Sequence, residues 1–178
     1  MIKPYNIYCD MDGVLVDLYK GLRNVLGRVY DHDEWHKNSE EKKQLIRDYP
    51  NFWETLPTME DFSGLWGFIG PFSPCILTAY AEWDKEDSCR EKWIWIQNHT
   101  KVPEERFHCV ARADKQKYAV TPEGKPNVLI DDYILNIREW RAAGGIGIMH
   151  TDAAHTVMKL KNLGFYFDEY HSKRYGNY

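Results

Sequence analysis

The segment YNIYCDMDGV, residues 5–14, leads from a short apolar run into a turn that carries two aspartates. The apolar run at 5–9 is continuous rather than alternating, which predicts a strand covered on both faces. Gly13 permits the sharp turn that brings the backbone close to a ligand. The segment therefore predicts a buried strand whose carboxyl end presents Asp10 and Asp12.

Four further apolar runs predict strands at residues 75–78, 106–110, 127–130 and 146–149. Helical periodicity between and after these strands predicts three helices. The helix at 88–98 has an apolar stripe of Cys89, Trp93 and Ile96, and the helix at 133–143 has one of Ile134, Ile137 and Trp140. Asp152 is predicted to cap a last helix, whose stripe is Val157, Leu160 and Leu163. Alternation of strand and helix predicts an α/β fold, a Rossmann-like parallel sheet flanked by helices.

The connection between the first two predicted strands is far longer than one crossover helix. It begins with an amphipathic helix from Val14 to Val25 and continues into a polar and then aromatic stretch. Because a structureless loop of this length is uncommon, we predict a small, mostly helical cap at residues 18–70. Residues 1–17 and 71–165 then form the catalytic core, and the polar tail 166–178 receives no assignment.

Polar side chains follow the predicted strands where each one ends: Asp10 and Asp12, Thr78, Lys115 and Lys117, and Asp131 and Asp132, with the backbone of Ala79 beside Thr78. In open α/β sheets, ligands bind outside the carboxyl ends of the strands. Carboxylates gathered at one edge repel each other, and a hard divalent cation such as Mg²⁺ relieves that repulsion. The sequence therefore predicts a magnesium site at this edge, built from Asp10, Asp12, Asp131 and Asp132.

These residue types also suggest a reaction on a phosphate ester. Asp10 can act as a nucleophile that forms an aspartyl-phosphate, and Asp12 can protonate the leaving oxygen. The Thr78 hydroxyl, the backbone at Ala79 and a lysine can hold the phosphate. The residues alone leave open whether Lys115 or Lys117 is that lysine.

At this point the chain resembles the haloacid-dehalogenase-like phosphatases. Their four motifs correspond in order to DMDGV at 10–14, ILTA at 76–79, a downstream lysine, and LIDD at 129–132. A closer similarity is to the 5′(3′)-deoxyribonucleotidases, through DMDGVLVDLYKGL at 10–22, YPNFWETLP at 49–57, REKWIWIQNH at 90–99 and ADK at 113–115.

This resemblance implies the roles of individual residues. Asp10 would be the nucleophile and a Mg²⁺ ligand, and Asp12 the acid/base residue that also ligates through its backbone carbonyl. Thr78 and Lys115 would bind phosphate, and the pair Asp131 and Asp132 would complete the metal shell. The implied substrate is a deoxyribonucleoside monophosphate, with Phe52 and Trp53 of the cap as the residues expected to contact its base.

Composition limits the partners that we expect. The chain of 178 residues has a formal net charge of −4 and no basic run, which argues against a polynucleotide ligand but allows a small phosphomonoester. The N-terminal residues lack the pattern of a signal peptide, and no apolar run is long enough for a membrane span. We therefore expect a cytoplasmic protein with reduced cysteines, in which Cys9, Cys75 and Cys109 act as small buried hydrophobes. The sequence does not distinguish a monomer from a homodimer.

Three alternatives accompany the nucleotidase hypothesis. The same chemistry could act on another small phosphomonoester, such as a sugar phosphate. A phospho-switch of the receiver type also gathers aspartates, a threonine and a lysine on a parallel sheet, but its acidic pair lies on the first strand, whereas here the pair comes late. A binding module that has lost catalysis is disfavoured because every catalytic position is occupied.

Overall fold

The computed structural model of the chain describes residues 2–27 and 40–167. Part of the predicted cap, including Trp35, lies outside the described residues, as does the tail from residue 168 onward.

The described residues form a five-stranded, wholly parallel sheet, which confirms the predicted α/β fold. The strands are β1 Ile7–Cys9, β2 Cys75–Ala79, β3 Phe107–Val110, β4 Val128–Asp131 and β5 Ile146–Met149. Their spatial order is β3-β2-β1-β4-β5. Every predicted strand is present with small shifts at its ends, and the central position of β1 places Asp10 in the middle of the carboxyl edge.

Helices flank this sheet because parallel neighbours must be joined by crossover connections. The α-helices of the described residues are α1 Leu18–Leu26, α2 Glu40–Asp48, α3 Phe62–Ile69, α4 Lys85–His99, α5 Ile134–Ala142 and α6 Ala153–Asn162. Short 3-10 helices lie at Gly70–Phe72, Glu104–Arg106 and Arg112–Tyr118. Asp152 caps α6 as predicted, since its side chain accepts a hydrogen bond from the backbone N–H of His155. None of the helices in the described residues has the length and apolar character that a membrane crossing requires.

The described part of the segment between β1 and β2 contains the helices α1, α2 and α3. Its side chains Leu22, Ile46 and Trp53 belong to the same buried hydrophobic cluster as Ile7 and Ile130 of the sheet. Helix α3 packs against α6. The segment is therefore continuous with the core through shared apolar packing, and its division from the core at residues 18 and 70 stays a prediction.

The buried face of α4 differs from the predicted stripe. Ile96 is buried, but Cys89 and Trp93 are only half-buried. The other buried side chains of this helix are Ser88, Glu91, Lys92 and Trp95. A hydrophobic stripe was the wrong criterion because this helix faces a polar site as well as the apolar core.

The prediction for Cys109 is wrong, because Cys109 in β3 forms a disulfide with Cys89 in α4. Cys9 and Cys75 are free, with Cys9 buried and Cys75 half-buried. The expectation of reduced cysteines therefore fails for one pair in this structure. The two residues were not recognised as partners because a spacing of 20 residues between a helix and a strand has no signature in the sequence.

The disulfide should stabilise the fold by restricting the unfolded chain. For a loop of this size the effect on the free energy of unfolding is about 3 kcal/mol. We expect a dithiol reductant to lower the urea midpoint of the wild-type protein. The same reductant should leave the midpoint of the Cys89→Ser/Cys109→Ser variant unchanged. Four free thiols in the unfolded, unreduced wild-type protein would contradict the disulfide.

Candidate active site

The carboxyl ends of three neighbouring strands bring the predicted site residues together. Asp10 directly follows β1, and its backbone N–H donates to the carbonyl of Ile130 in β4 at 2.9 Å. Asp131 is the last residue of β4, and Asp132 follows it. Thr78 and Ala79 end β2. The order of the strands in the sheet therefore assembles one site from positions that are far apart in the sequence.

A buried lysine lies between two of the aspartates. The Nζ atom of Lys115 is 2.7 Å from Oδ2 of Asp10 and 2.9 Å from Oδ2 of Asp131. Lys115 comes from the 3-10 helix Arg112–Tyr118 and is only 3% exposed. Lys117, by contrast, has a mostly exposed side chain and pairs with Asp114. The structure thus places Lys115, and not Lys117, beside the predicted nucleophile.

The two aspartates at the end of β4 have different surroundings. Asp131 is fully buried and accepts hydrogen bonds from the backbone N–H of Tyr133, from Asn136 and from Lys115. These donors occupy both carboxylate oxygens. No hydrogen bond from another described residue reaches the carboxylate of Asp132, whose oxygens lie against Gly13. A Cβ atom at position 13 would be 2.0 Å from Oδ2 of Asp132. Gly13, with φ of 76°, is therefore required by both the turn and the space that Asp132 occupies.

Burial makes the charged form of these acids costly. Burial raises the pKa of Asp10 to about 7, a rise that Lys115 opposes and Asp131 reinforces. Burial also raises the pKa of Asp132 to about 8, with the charges of Asp10, Asp131 and Asp12 adding to the effect. For Lys115, burial lowers the pKa, but attraction to Asp10 and Asp131 outweighs burial and the pKa rises overall. The cluster carries more negative charge than its own lysine neutralises.

These residues fit a divalent cation. One carboxylate oxygen from each of Asp10, Asp131 and Asp132 lies within 4.8 Å of the others. Asp132 offers oxygens without a donor among the described residues, whereas Asp131 would have to give up a hydrogen bond in order to bind a cation directly. Asp10 and Asp132 are therefore the side chains best placed to hold a cation, and carboxylate oxygens are donors of the kind that Mg²⁺ prefers.

A second buried lysine, Lys92 of α4, was not singled out by the sequence analysis. Its Nζ atom is 2.5 Å from Oδ2 of Asp12, 3.2 Å from Oγ1 of Thr78 and 2.8 Å from the carbonyl oxygen of Ala79. The side chain of Lys92 is only 1% exposed. The other oxygen of Asp12, Oδ1, is buried and has no hydrogen-bond partner among the described residues. Asp12 is thus held on one side by Lys92 and presents a bare oxygen on the other.

A cavity of about 230 Å³ lies over these groups. Its lining includes Asp10, Asp12, Asp132, Lys92 and Ala79, together with Gly13, Leu18, Tyr19, Trp53, Tyr80, Ala81, Arg112 and Tyr133. Thr78 and Lys115 are not part of this lining, although both contact residues that are. The residues that line the cavity therefore combine carboxylates and cations with aromatic rings.

The two aromatic residues expected to contact a base lie in different places. Trp53 lines the cavity, and its indole N–H donates to Asp84 at 2.8 Å. The Nζ atom of Lys92 lies 5.0 Å from the centre of its ring. Phe52 is buried, packs edge-on against Trp53 and is not among the lining residues. Phe52 therefore supports Trp53 from behind.

Comparisons with known proteins bear on the fold. No protein-family profile matches the chain, and no curated protein sequence matches it. Among solved structures, the chain is similar to a hydrolase from Pseudomonas syringae, with 13% identity over 90% of this chain and 100% of that one and a TM-score of 0.53. It is also similar to a haloacid dehalogenase-like family hydrolase from Streptococcus pneumoniae, with 16% identity over 86% of this chain and 90% of that one and a TM-score of 0.50.

Neither of these proteins is described as a nucleotidase, so the resemblance to deoxyribonucleotidases gains no support from them. At such low identity the similarity establishes architecture. The chain shares the α/β fold of these two hydrolases.

Proposed function

We propose that the protein is a Mg²⁺-dependent phosphomonoester hydrolase that works through an aspartyl-phosphate at Asp10, with deoxyribonucleoside monophosphates as its substrates. The observation that carries this proposal is that two aspartates lining one cavity, Asp10 and Asp12, each contact a buried lysine. Lys115 contacts Asp10, and Lys92 contacts Asp12. The first pair suits a nucleophile, and the second suits an acid/base residue beside a phosphate.

In the first step, an oxygen of Asp10 attacks phosphorus, and the bond from phosphorus to the ester oxygen breaks. The departing oxygen takes a proton from Asp12, whose Oδ1 atom has no other partner among the described residues. Lys92 and Lys115 place positive charge where the phosphate oxygens gather charge in the transition state. A bound divalent cation would supply further positive charge at Asp10 and Asp132.

In the second step, a water molecule attacks phosphorus and gives a proton to Asp12. The bond between phosphorus and the Asp10 oxygen breaks, which releases inorganic phosphate and restores the carboxylate of Asp10. Asp12 is thereby ready to protonate the next leaving group. The same two residues complete the cycle without a histidine.

The aromatic walls support a nucleotide as the substrate. Trp53, Tyr19, Tyr80 and Tyr133 line the same cavity as Asp10 and Asp12. Stacking of a base on one aromatic ring is worth roughly 1–3 kcal/mol. The preference for a deoxyribose rests on the sequence resemblance alone.

A second candidate is a smaller phosphomonoester such as a sugar phosphate. The cavity volume of about 230 Å³ favours it, because ligand pockets for larger molecules span roughly 300–1,000 Å³. A sugar phosphate needs no stacking surface, so the two candidates differ in their dependence on Trp53.

A comparison of substrates separates them. We expect kcat/KM for deoxyribonucleoside monophosphates to exceed that for ribose 5-phosphate by about tenfold or more, the value of one stacking contact. Trp53→Ala should lower nucleotide turnover while affecting ribose 5-phosphate less, because only the nucleotide loses a stacking partner.

Phe72→Ala is the matched control, since Phe72 is equally buried, does not line the cavity and has ring contacts with Phe68, Phe165 and Phe167 instead of Trp53. It should lower stability and leave the ratio of kcat/KM between the two substrates close to that of the wild type. Equal kcat/KM for the sugar phosphate and every nucleotide would contradict the proposed nucleotide specificity and favour the second candidate.

A further inference from the structure

Asn136 in α5 connects Arg112, which lines the cavity, to Asp131 of the acidic cluster. Its Nδ2 atom lies 3.0 Å from Oδ1 and 2.9 Å from Oδ2 of Asp131. Its Oδ1 atom accepts a hydrogen bond from Nη1 of Arg112 at 3.1 Å. Asn136 is only 5% exposed. A buried amide thus joins a residue that lines the cavity to an aspartate beneath it.

Arg112 determines which end of this amide faces the acidic cluster. A guanidinium can only donate hydrogen bonds, so the amide oxygen must point toward Arg112 and the amide N–H₂ toward Asp131. Arg112 is itself held by Glu139, through contacts of 2.8 Å from Nη1 to Oε2 and 3.3 Å from Nη2 to Oε1. The Arg112–Glu139 pair therefore ensures that Asp131 meets a donor instead of an acceptor.

The orientation of Asp131 in turn affects the predicted nucleophile. Oδ2 of Asp131 and Oδ2 of Asp10 share the ammonium group of Lys115. If the Asp131 carboxylate rotated, Lys115 would lose one of its two partners and could move away from Asp10. Asn136 contacts both oxygens of Asp131 and so opposes that rotation.

We propose that Asn136 is a positioning residue, which orients Asp131 and thereby keeps Lys115 against Asp10 for attack on the phosphate. The inference rests on the proposed phosphatase function and adds to it a residue that touches neither substrate nor cation. Its contribution lies in the chemical step, so removing it should lower kcat and leave KM nearly unchanged.

Asn136→Asp tests this directly. The substitution keeps the shape and the oxygen that Arg112 needs, but it replaces the donor to Asp131 by an acceptor. Loss of such a supporting contact commonly costs about 10–100-fold in activity. We expect kcat on an aryl phosphate to fall by that factor, with KM within about threefold of the wild-type value. Asn98→Asp is the matched control, because the same change at an exposed position of α4 should leave both constants unchanged.

The experiment includes urea unfolding in chelator, so that kcat can be expressed per folded molecule. If Asn136→Asp does not fold, Asn136→Ala provides the same test, since it removes the donor without adding a charge. A kcat within twofold of wild type for a folded variant would overturn the proposal, as would a loss confined to KM or to stability. A wild-type protein without any phosphatase activity would instead refute the proposed function.

Discussion

Asp10→Asn should lower phosphate release by at least roughly 10³-fold, on the scale expected for the loss of a nucleophile. The amide keeps the shape of the side chain and can still contact Lys115, but it has no anionic oxygen with which to attack phosphorus. The backbone N–H of Met11 and the ammonium group of Lys115 hold the carboxylate in its present position. The measurement is the turnover number on a phosphomonoester at saturating substrate and Mg²⁺.

Asp114→Asn is the control for this substitution. Asp114 lies one residue before Lys115, but its side chain is half-exposed and pairs with Lys117. The control should retain wild-type turnover. Near-normal turnover of a folded Asp10→Asn protein would show that Asp10 is not the nucleophile.

Removal of divalent cations should abolish activity, and Mg²⁺ should restore it. Asp10, Asp131 and Asp132 crowd their carboxylates into one buried cluster, and Lys115 is the cation that contacts two of them. Without a divalent cation, their mutual repulsion opposes the ionised form of Asp10 that must attack phosphorus. Full turnover in a metal-free sample that contains chelator would contradict this requirement.

Stability in chelator should also depend on pH in a defined direction. The pKa of Asp10 rises from 3.8 to about 7 on folding, and that of Asp132 rises from 3.8 to about 8. The folded chain therefore binds more protons than the unfolded chain between these values, and its stability falls as pH rises through this window. Mg²⁺ competes with those protons, so it should raise the melting temperature more at about pH 8 than at about pH 5. A Mg²⁺ effect that is equal at both pH values would be evidence against binding at these acids.

The strand-end residues were predictable because a parallel sheet brings its carboxyl ends to one edge. A buried apolar strand followed by a polar residue is visible in one sequence, and Asp10, Thr78 and Asp131 all have that signature. The separation of Lys115 from Lys117 also follows from local structure, because the 3-10 helix turns the first inward and the second toward solvent.

Residues that reach the site from helices were harder to find. Lys92 lies in the middle of α4 among aromatic and charged residues, and Asn136 lies in α5 among isoleucines and arginines. Hydrophobic periodicity identifies buried positions by their apolar side chains, so it does not identify a buried lysine or a buried asparagine. Both residues were missed for this reason. Phe52 and Trp53 pack against each other, but only Trp53 lines the cavity. Adjacent positions in a sequence do not show which of two packed rings faces a cavity.

The central claim is that a phosphoryl group is transferred to Asp10, and the Asp12→Asn variant provides its most direct test. An aryl phosphate has a leaving group that departs without protonation, so loss of Asp12 should spare the first step and slow the second, which needs a base. We predict a burst of the aryl alcohol approaching one equivalent per folded protein. Peptide mass spectrometry after acid quenching should then show one added phosphoryl group on Asp10. An adduct on another residue, or steady release of the aryl alcohol without a burst and without any adduct, would contradict the account.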